Sequence, residues 1–500
     1  MDVPAKGNVL GRFVPARYIL AVLGSIGMAI IYGLKVNLSV AMVGMLNHSA
    51  IKRNAGDESG HGASHVNQTS DECPGSDASN TVEADGPFIW SSGVQGIVLS
   101  CYFWGYFISQ IPGGRVAELF SAKWVMFFSV TINVVCTLLT PVMARAHYVA
   151  AVLMRVGEGI GGGVTFPAMH VLLSKWAPPA ERSVMSALVY AGTSLGTVIS
   201  MLMAGLLAAH LGWESVFYVM GGLSGAWCVL WAVLVQDTPQ RQPLISVEER
   251  HMIVTSLGGN TDAHAPKQKL PVPWRDVLTS PPFLAILVAH ACSNWGWYML
   301  LIELPFYMKQ VLKFNMTENA VTTALPFLTL WIFSIALSRA LDWLRGRGLI
   351  TTTIARKIGT LFASLVPGLC LLALCFVGCS RGAAVALMAI GVTGIGGMFC
   401  GFLSNHIDIA PNFAGTLMAI TNTAATIPGI VVPPFVSYIT KEDKSIHSWR
   451  IIFYVTIALY VIEILAYTIF GSGEEQPWNR APNDDIDTEL EKNGNDKTHL

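Results

Sequence analysis

The stretch GGRVAELFSAK (113–123) follows one apolar run, and SRALDWLRGRG (338–348) follows another far down the chain. Setting Arg115-Val-Ala-Glu118 against Arg339-Ala-Leu-Asp342 gives one basic-x-x-acidic pattern at two places. A glycine-rich run also recurs, GEGIGGG (157–163) and GVTGIGG (391–397). Repeats at matching positions point to a chain of two related halves. On this reading Glu118 and Asp342 lie near helix termini, where the ionised form is favoured. With Arg115 and Arg339 they would bind a neighbouring helix end and lock one conformation. Ordinary solvated loop charges are the alternative.

The composition places those halves in a membrane. Of 500 residues 52% are hydrophobic and 13% charged, where soluble proteins carry about 25% charged. The net charge of −1 gives no reason to expect a nucleic-acid partner. The nine cysteines fall mostly in apolar stretches, with Cys73 alone well inside a polar loop. No disulfide framework or CxxC metal site is apparent. The first twelve residues lack the apolar core and cleavage site of a signal peptide, so the first apolar span is expected to stay as a helix.

A spanning helix needs about 20 mostly apolar residues. Twelve segments qualify: 18–45, 90–111, 124–143, 148–173, 184–209, 215–236, 282–308, 321–341, 355–378, 383–404, 414–438 and 450–471. With the N-terminus in the cytosol, the cytosolic side holds 20 of the 31 Lys and Arg and the opposite side nine; Lys35 and Arg155 lie within spans. The positive-inside rule therefore puts both termini in the cytosol. Sequons at Asn47, Asn67 and Asn315 all fall on the other side, where glycosylation occurs, whereas the one at Asn37 lies in the first span and should stay bare. The expected organisation is a cytosolic tail (1–17), a six-helix bundle (18–236) with a glycosylated loop (46–89), a cytosolic linker (237–281), a second six-helix bundle (282–471) and an acidic tail (472–500). The fold class is an all-α membrane protein of twelve transmembrane helices in two six-helix pseudo-repeats.

Twelve spans, a six-plus-six repeat and GGRVAELFSAK after the second span resemble the major facilitator superfamily. Within it, RVGEGIGGGVTFPAMHVLLSKWAPPAERS (155–183), NHIDIAPNFAGTLMAITNTAATIPGIVVP (405–433) and FWGYFISQIPGG (103–114) resemble the anion-transporter family of sialin, the vesicular glutamate transporters and the phosphate and urate carriers. The resemblance runs from about residue 18 to 471 and is sialin-like in pattern. In such relatives the Lys35 position usually carries an arginine, and a second acid stands where this chain has Gly162. The glutamate transporters carry a histidine at the Leu99 position and an arginine at the Ser293 position. These departures point away from vesicular glutamate transport.

The charges inside the spans supply the candidate site. Arg155 and Glu158 share a helix face at i and i+3. An arginine at the bilayer centre costs about 2.5–3.5 kcal/mol on insertion scales, so it needs a partner or a wet cavity. Either the two form a buried pair that fixes packing, or Arg155 binds a substrate carboxylate while Glu158 takes up and releases a proton. His170 either relays protons or packs. Lys35 is a second substrate cation, unless it snorkels to the interface. Asn294, Trp295 and Tyr298 in the seventh span and Asn422 in the eleventh are candidate cavity-lining residues. NHIDIAP (405–411) suits structural gating better than substrate contact. Gly157, Gly159, Gly161 and Gly163 would let a neighbouring helix approach closely.

No HExxH, P-loop or GxSxG motif suggests an enzyme. The expected function is secondary active transport of organic anions of the sialic-acid or acidic amino-acid type, coupled to H+, by alternating access. Sodium-dependent phosphate cotransport is the alternative, and a non-transporting sensor on a carrier fold a remote one. No cofactor is expected. The partners are a small anion and the lipid bilayer, and the unit is a monomer in a lysosomal, vesicular or plasma membrane.

Overall fold

The computed structural model describes residues 14–47, 49–50, 86–258, 271–300, 307–308, 311–312, 316–440 and 445–480. Asn67, Asn315, Cys73, the acidic run 484–492 and part of the linker lie outside them.

The first half comprises α1 (Ala16–Met45), α2 (Ser92–Leu119), α3 (Ala122–Ala146), α4 (Tyr148–Gly163), α5 (Thr165–Trp176), α6 (Arg182–Tyr190), α7 (Gly192–Leu211) and α8 (Trp213–Leu234). Two short helices, α9 (Val247–Ser256) and α10 (Trp274–Thr279), lie in the linker. The second half comprises α11 (Pro281–Tyr298), α12 (Met316–Gly346), α13 (Thr352–Val377), α14 (Arg381–Ile395), α15 (Phe402–Ile409), α16 (Ala414–Ile439) and α17 (Ile446–Phe470). The pairs α4–α5, α6–α7 and α14–α15 are single passes broken in the middle, so these elements make twelve passes.

Ten of the passes are long and apolar enough to cross a membrane by length and composition, counted over the described residues. The other two are α2 and α11. Each gives part of its length to polar and aromatic side chains, Tyr102, Tyr106 and Gln110 on α2 and His290, Asn294 and Tyr298 on α11. Those groups face other helices rather than lipid.

Packing follows the repeat. In the first half α2 packs on α4, α1 on α7 and α8, and α3 on α4 and α8. In the second half the counterparts pair likewise: α12 on α14, α11 on α16 and α17, and α13 on α14 and α17. The halves meet where α2 and α5 pack on α16, and α6 and α7 on α12.

Close approach in the first half depends on glycine. A Cβ on Gly159 or Gly163 would run into the carbonyl oxygens of Tyr102 and Tyr106, and one on Gly161 into that of Ser129. Backbone cannot move aside as a side chain can, so α2 and α3 grip α4 from two sides through bare backbone. The helix then breaks at Val164, three residues before Pro167, whose ring nitrogen has no hydrogen to offer the preceding turn.

One finding departs from the sequence reading, and one adds to it. Cys379 is disulfide-bonded, whereas no disulfide framework was expected. Leu46 and Phe88 pair as an isolated bridge that joins the two ends of the 46–89 loop.

Candidate functional site

Arg155 and Glu158 form a buried ion pair one turn apart on α4. The guanidinium also donates to the carbonyls of Leu34 (3.4 Å) and Lys35 (3.0 Å) on α1. Its carbon lies 5.3 Å from the centre of the Tyr102 ring. Glu158 accepts a further hydrogen bond from Thr137 on α3 (2.9 Å). In this structure the two charges therefore neutralise each other and tie three helices together. Of the two sequence readings, this arrangement is the buried pair.

Lys35 is different. Its ammonium stands 4.6 Å from the ring centre of Phe103, 5.2 Å from Tyr32, 5.5 Å from Tyr102 and 5.7 Å from both Tyr106 and Tyr298. Among the described residues no carboxylate pairs with it. Each such ring contributes about 0.5–2 kcal/mol through its negative face. Aromatic faces stabilise a cation without neutralising it, so the charge stays available to an anion. Four of the rings come from the first half and Tyr298 from the second. The cage therefore lies across the interface between halves.

Asn422 joins the cage by donating to the Tyr106 hydroxyl (2.9 Å), again from one half to the other. Gln110 donates to Thr426 one turn along the same interface (3.0 Å). Asn294 donates to the carbonyl of Ala425 (3.3 Å), close to this line. Trp295 turns away: its indole N–H donates to Thr456 on α17 (3.2 Å), and its ring packs against Phe435. The structure thus brings Lys35, Tyr298 and Asn422 together, braces them with Arg155, and leaves Trp295 in the packing of the second half. At Gly162, where the family resemblance implies a second acid, a Cβ would meet the Tyr102 hydroxyl. The tyrosine fills that space.

His170 lies toward the end of the bundle that carries the linker. Its Nε2 bonds the carbonyl of Leu403 across the interface (3.0 Å), and its Nδ1 meets the Tyr190 hydroxyl (2.5 Å). His406 stacks edge-on to it at 5.4 Å, and His290 lies 6.2 Å beyond. Both of those imidazoles bond the Thr421 hydroxyl (2.8 and 3.1 Å). Sequence reasoning picked out His170 alone. The other two lie in different spans, and nothing in their spacing showed that they converge.

At the linker end, Glu118 accepts from Arg115 (2.9 Å) and from the backbone N–H and hydroxyl of Thr416 at the start of α16 (2.6 Å each). Asp342 accepts from Arg345 (3.1 Å) and from the backbone N–H of Val184 at the start of α6 (2.9 Å). Each acid of the repeat therefore caps a helix of the opposite half. Arg339, grouped with Asp342 by the sequence pattern, is exposed instead. Arg345, on the next turn, takes its place. The sequence also missed a buried triad: Asp408 receives Arg182 from the first half (2.8 Å) and Arg356 from the second (2.5 Å). Asp408 belongs to NHIDIAP, the segment assigned to gating. At the other end of the bundle, Asn47 lies just beyond α1 and accepts from the Ala50 N–H (2.8 Å).

These features converge on one family. The profile of the Major Facilitator Superfamily matches residues 24–433. The chain belongs to this superfamily. It is a multi-pass membrane transporter, not an enzyme. Sialin of Homo sapiens is 40% identical over 93% of this chain and 90% of its own length. A Drosophila melanogaster chain that carries the name of an inorganic phosphate cotransporter is 38% identical over 95% and 88%. Vesicular glutamate transporter 2 of Homo sapiens is 34% identical over 93% and 75%. Among solved structures, a proton:xylose symporter of the superfamily superposes with a TM-score of 0.64 at 14% identity, covering 92% of this chain and 97% of the symporter. A bacterial homologue of the iron transporter ferroportin, in an outward-facing state, superposes with a TM-score of 0.60 at 12% identity, covering 91% of this chain and 99% of its own. At those identities the likeness concerns the fold alone.

Proposed function

We propose that this carrier moves small organic anions, driven by protons, by alternating exposure of a site at the Lys35 cage. One observation carries the proposal: an uncompensated ammonium between the two halves, surrounded by five aromatic rings. A carboxylate supplies the charge that Lys35 lacks. The rings and tyrosine hydroxyls suit the apolar and hydroxylated surface of an organic acid better than a bare inorganic ion. Sialin and the vesicular glutamate transporter among the relatives bear names that fit such substrates.

On this proposal Lys35 binds the substrate carboxylate. Arg155 holds the turn of α1 that carries Lys35, and Tyr298, Asn422 and the more distant Asn294 line the second-half side. Glu158 is the coupling group: protonation would release Arg155 from the pair and free its guanidinium for the anion. His170, between the cage and the linker end, would pass a proton along. Glu118 and Asp342, with Arg115 and Arg345, would hold the linker end shut. That end is cytosolic in the proposed orientation, with both termini on the same side and the sequons opposite. The protein would act as a monomer in a lysosomal, vesicular or plasma membrane.

Sodium-coupled phosphate transport is the second reading, favoured by the name of the Drosophila relative. Uptake of labelled sialic acid, glutamate and phosphate, at acidic and neutral pH and with and without sodium, separates the two. Acid-stimulated, sodium-independent uptake of an organic acid that Glu158→Gln removes supports the proposal. Sodium-dependent phosphate uptake that survives Glu158→Gln overturns it.

A further inference from the structure

Thr456, Tyr460, Glu463 and Tyr467 form one buried face of α17. This face packs on α11 and α13. Glu463 is fully buried two turns from the end of its helix, and neither carboxyl oxygen has a hydrogen-bond partner at bonding geometry. Among the described residues no cation forms an ion pair with it. Arg356 on α13 is committed to Asp408, and Arg450 on α17 donates to the carbonyl of Cys375 (2.8 Å). The third neighbour of α17, α16, has no charged residue or histidine in its sequence.

The groups beside the carboxyl are neutral. They are Ser364 from α13, Cys292 from α11 and Tyr460 from its own helix; the last two are titratable. The hydroxyl of Ser293, next to Cys292, and that of Tyr460 are also buried without partners. Ser364 has already given its hydrogen to the carbonyl of Thr360 (2.9 Å). While that bond holds, a hydrogen bond between Glu463 and Ser364 needs its hydrogen to come from the carboxyl. An isolated carboxylate at this depth would instead cost several kcal/mol.

We propose that Glu463 is a proton-binding site of this carrier, distinct from the Arg155–Glu158 pair, and that it holds a proton in the conformation described here. The Ser364 oxygen is the acceptor nearest in kind to the carboxylic O–H. On release the proton passes to water and leaves a carboxylate, which needs a rearranged or hydrated pocket. Ser293 lies on α11 five residues before Tyr298, so the site shares a helix with the cage. Only a role in coupling rests on the proton-driven reading above; proton occupancy does not.

The test uses purified full-length carrier in lipid, comparing wild type with Glu463→Gln and with Glu463→Leu as a second variant. Infrared spectra at neutral pH should show a protonated-carboxyl band in the wild type that both variants lack. The melting temperature of Glu463→Gln should match the wild type in acid and exceed it increasingly toward neutral pH, because only the wild type must take up a proton to fold. Identical infrared spectra, or a Gln variant less stable than wild type at neutral pH, would overturn the site. Sodium that raises the melting temperature of wild type but not of Glu463→Gln would also overturn it, by placing a metal ion there. Uptake is read in parallel. A several-fold fall in the acid-to-neutral uptake ratio of Glu463→Gln is expected if the site couples. If wild type shows no acid stimulation, the proton-driven reading fails, and the infrared band still decides Glu463.

Discussion

Glu118, at the end of α2, receives the backbone N–H and the hydroxyl of Thr416 at the start of α16, each at 2.6 Å. Phe413, which precedes α16, offers no side-chain cap, so the acid caps a helix of the opposite half. Asp342 does the same for α6, and Glu249 from the linker does it for α1 at Ala16 and Arg17. Three helices thus begin without a local cap, and each borrows a carboxylate from elsewhere in the chain.

Removing the two reciprocal caps should loosen the linker end. Capping bonds of this kind contribute about 0.5–2 kcal/mol each, and 1.4 kcal/mol is tenfold in an equilibrium. Glu118→Gln and Asp342→Asn should each raise exposure of that end severalfold, read as reaction of a cysteine introduced near Thr416 or Val184 with a water-soluble maleimide. Arg339→Gln should have less effect than Arg345→Gln, because Arg345 is the partner of Asp342.

Lys35→Met keeps the side-chain length and removes the charge. Uptake should fall at least about tenfold, the scale expected when a charge-assisted contact of ~1.5–3 kcal/mol is lost. Trp295→Phe should change uptake little, since its indole contacts Thr456 rather than the cage. Kinetics on matched surface expression would separate the two.

The Arg155–Glu158 pair should behave as a unit. Breaking a buried pair from one side costs about 3–5 kcal/mol, whereas removing both charges costs far less. Arg155→Met or Glu158→Leu should lower the melting temperature more than the double variant does. Additive losses in a double-mutant cycle would show that the pair does not hold α1, α3 and α4 together.

Gly159→Val should prevent α4 from seating on α2, because the new carbons meet the carbonyl of Tyr102. Overpacking in a tight interior costs about 1–3 kcal/mol or more. The recovery of monodisperse protein should drop sharply.

If the proposed orientation is right, Asn47→Gln, Asn67→Gln and Asn315→Gln should each increase gel mobility, and Asn37→Gln should not. Asn37 is buried in α1 at 1% exposure. A shift at Asn37 would contradict its place within the first span, and no shift at the other three would remove this support for the assigned sides.

Much of the fold was legible from one dimension because a membrane makes the pattern local. A helix must satisfy its own backbone, so span number, approximate limits and the repeat all appear along the chain. The helical breaks were less legible. Val164 has a run of glycines and Pro167 beside it, whereas Ala191 has the single Gly192. The charged residues Lys35, Arg155 and Glu158 stood out because ions are costly in hydrocarbon. Asp408, Arg356, His290 and His406 did not, because each gains its meaning from a partner in another span.

The sequence by itself determined that this is a twelve-pass transporter with two related halves and a small set of internal charges. Tertiary structure decided which of those charges is spent. Arg155 is held by Glu158 and two carbonyls of α1, while Lys35 stays uncompensated among rings from both halves. Hydrophobicity and helical period depend on neighbours along the chain. Charge pairing depends on which atoms lie within a few ångströms, and only the packing of the helices sets that.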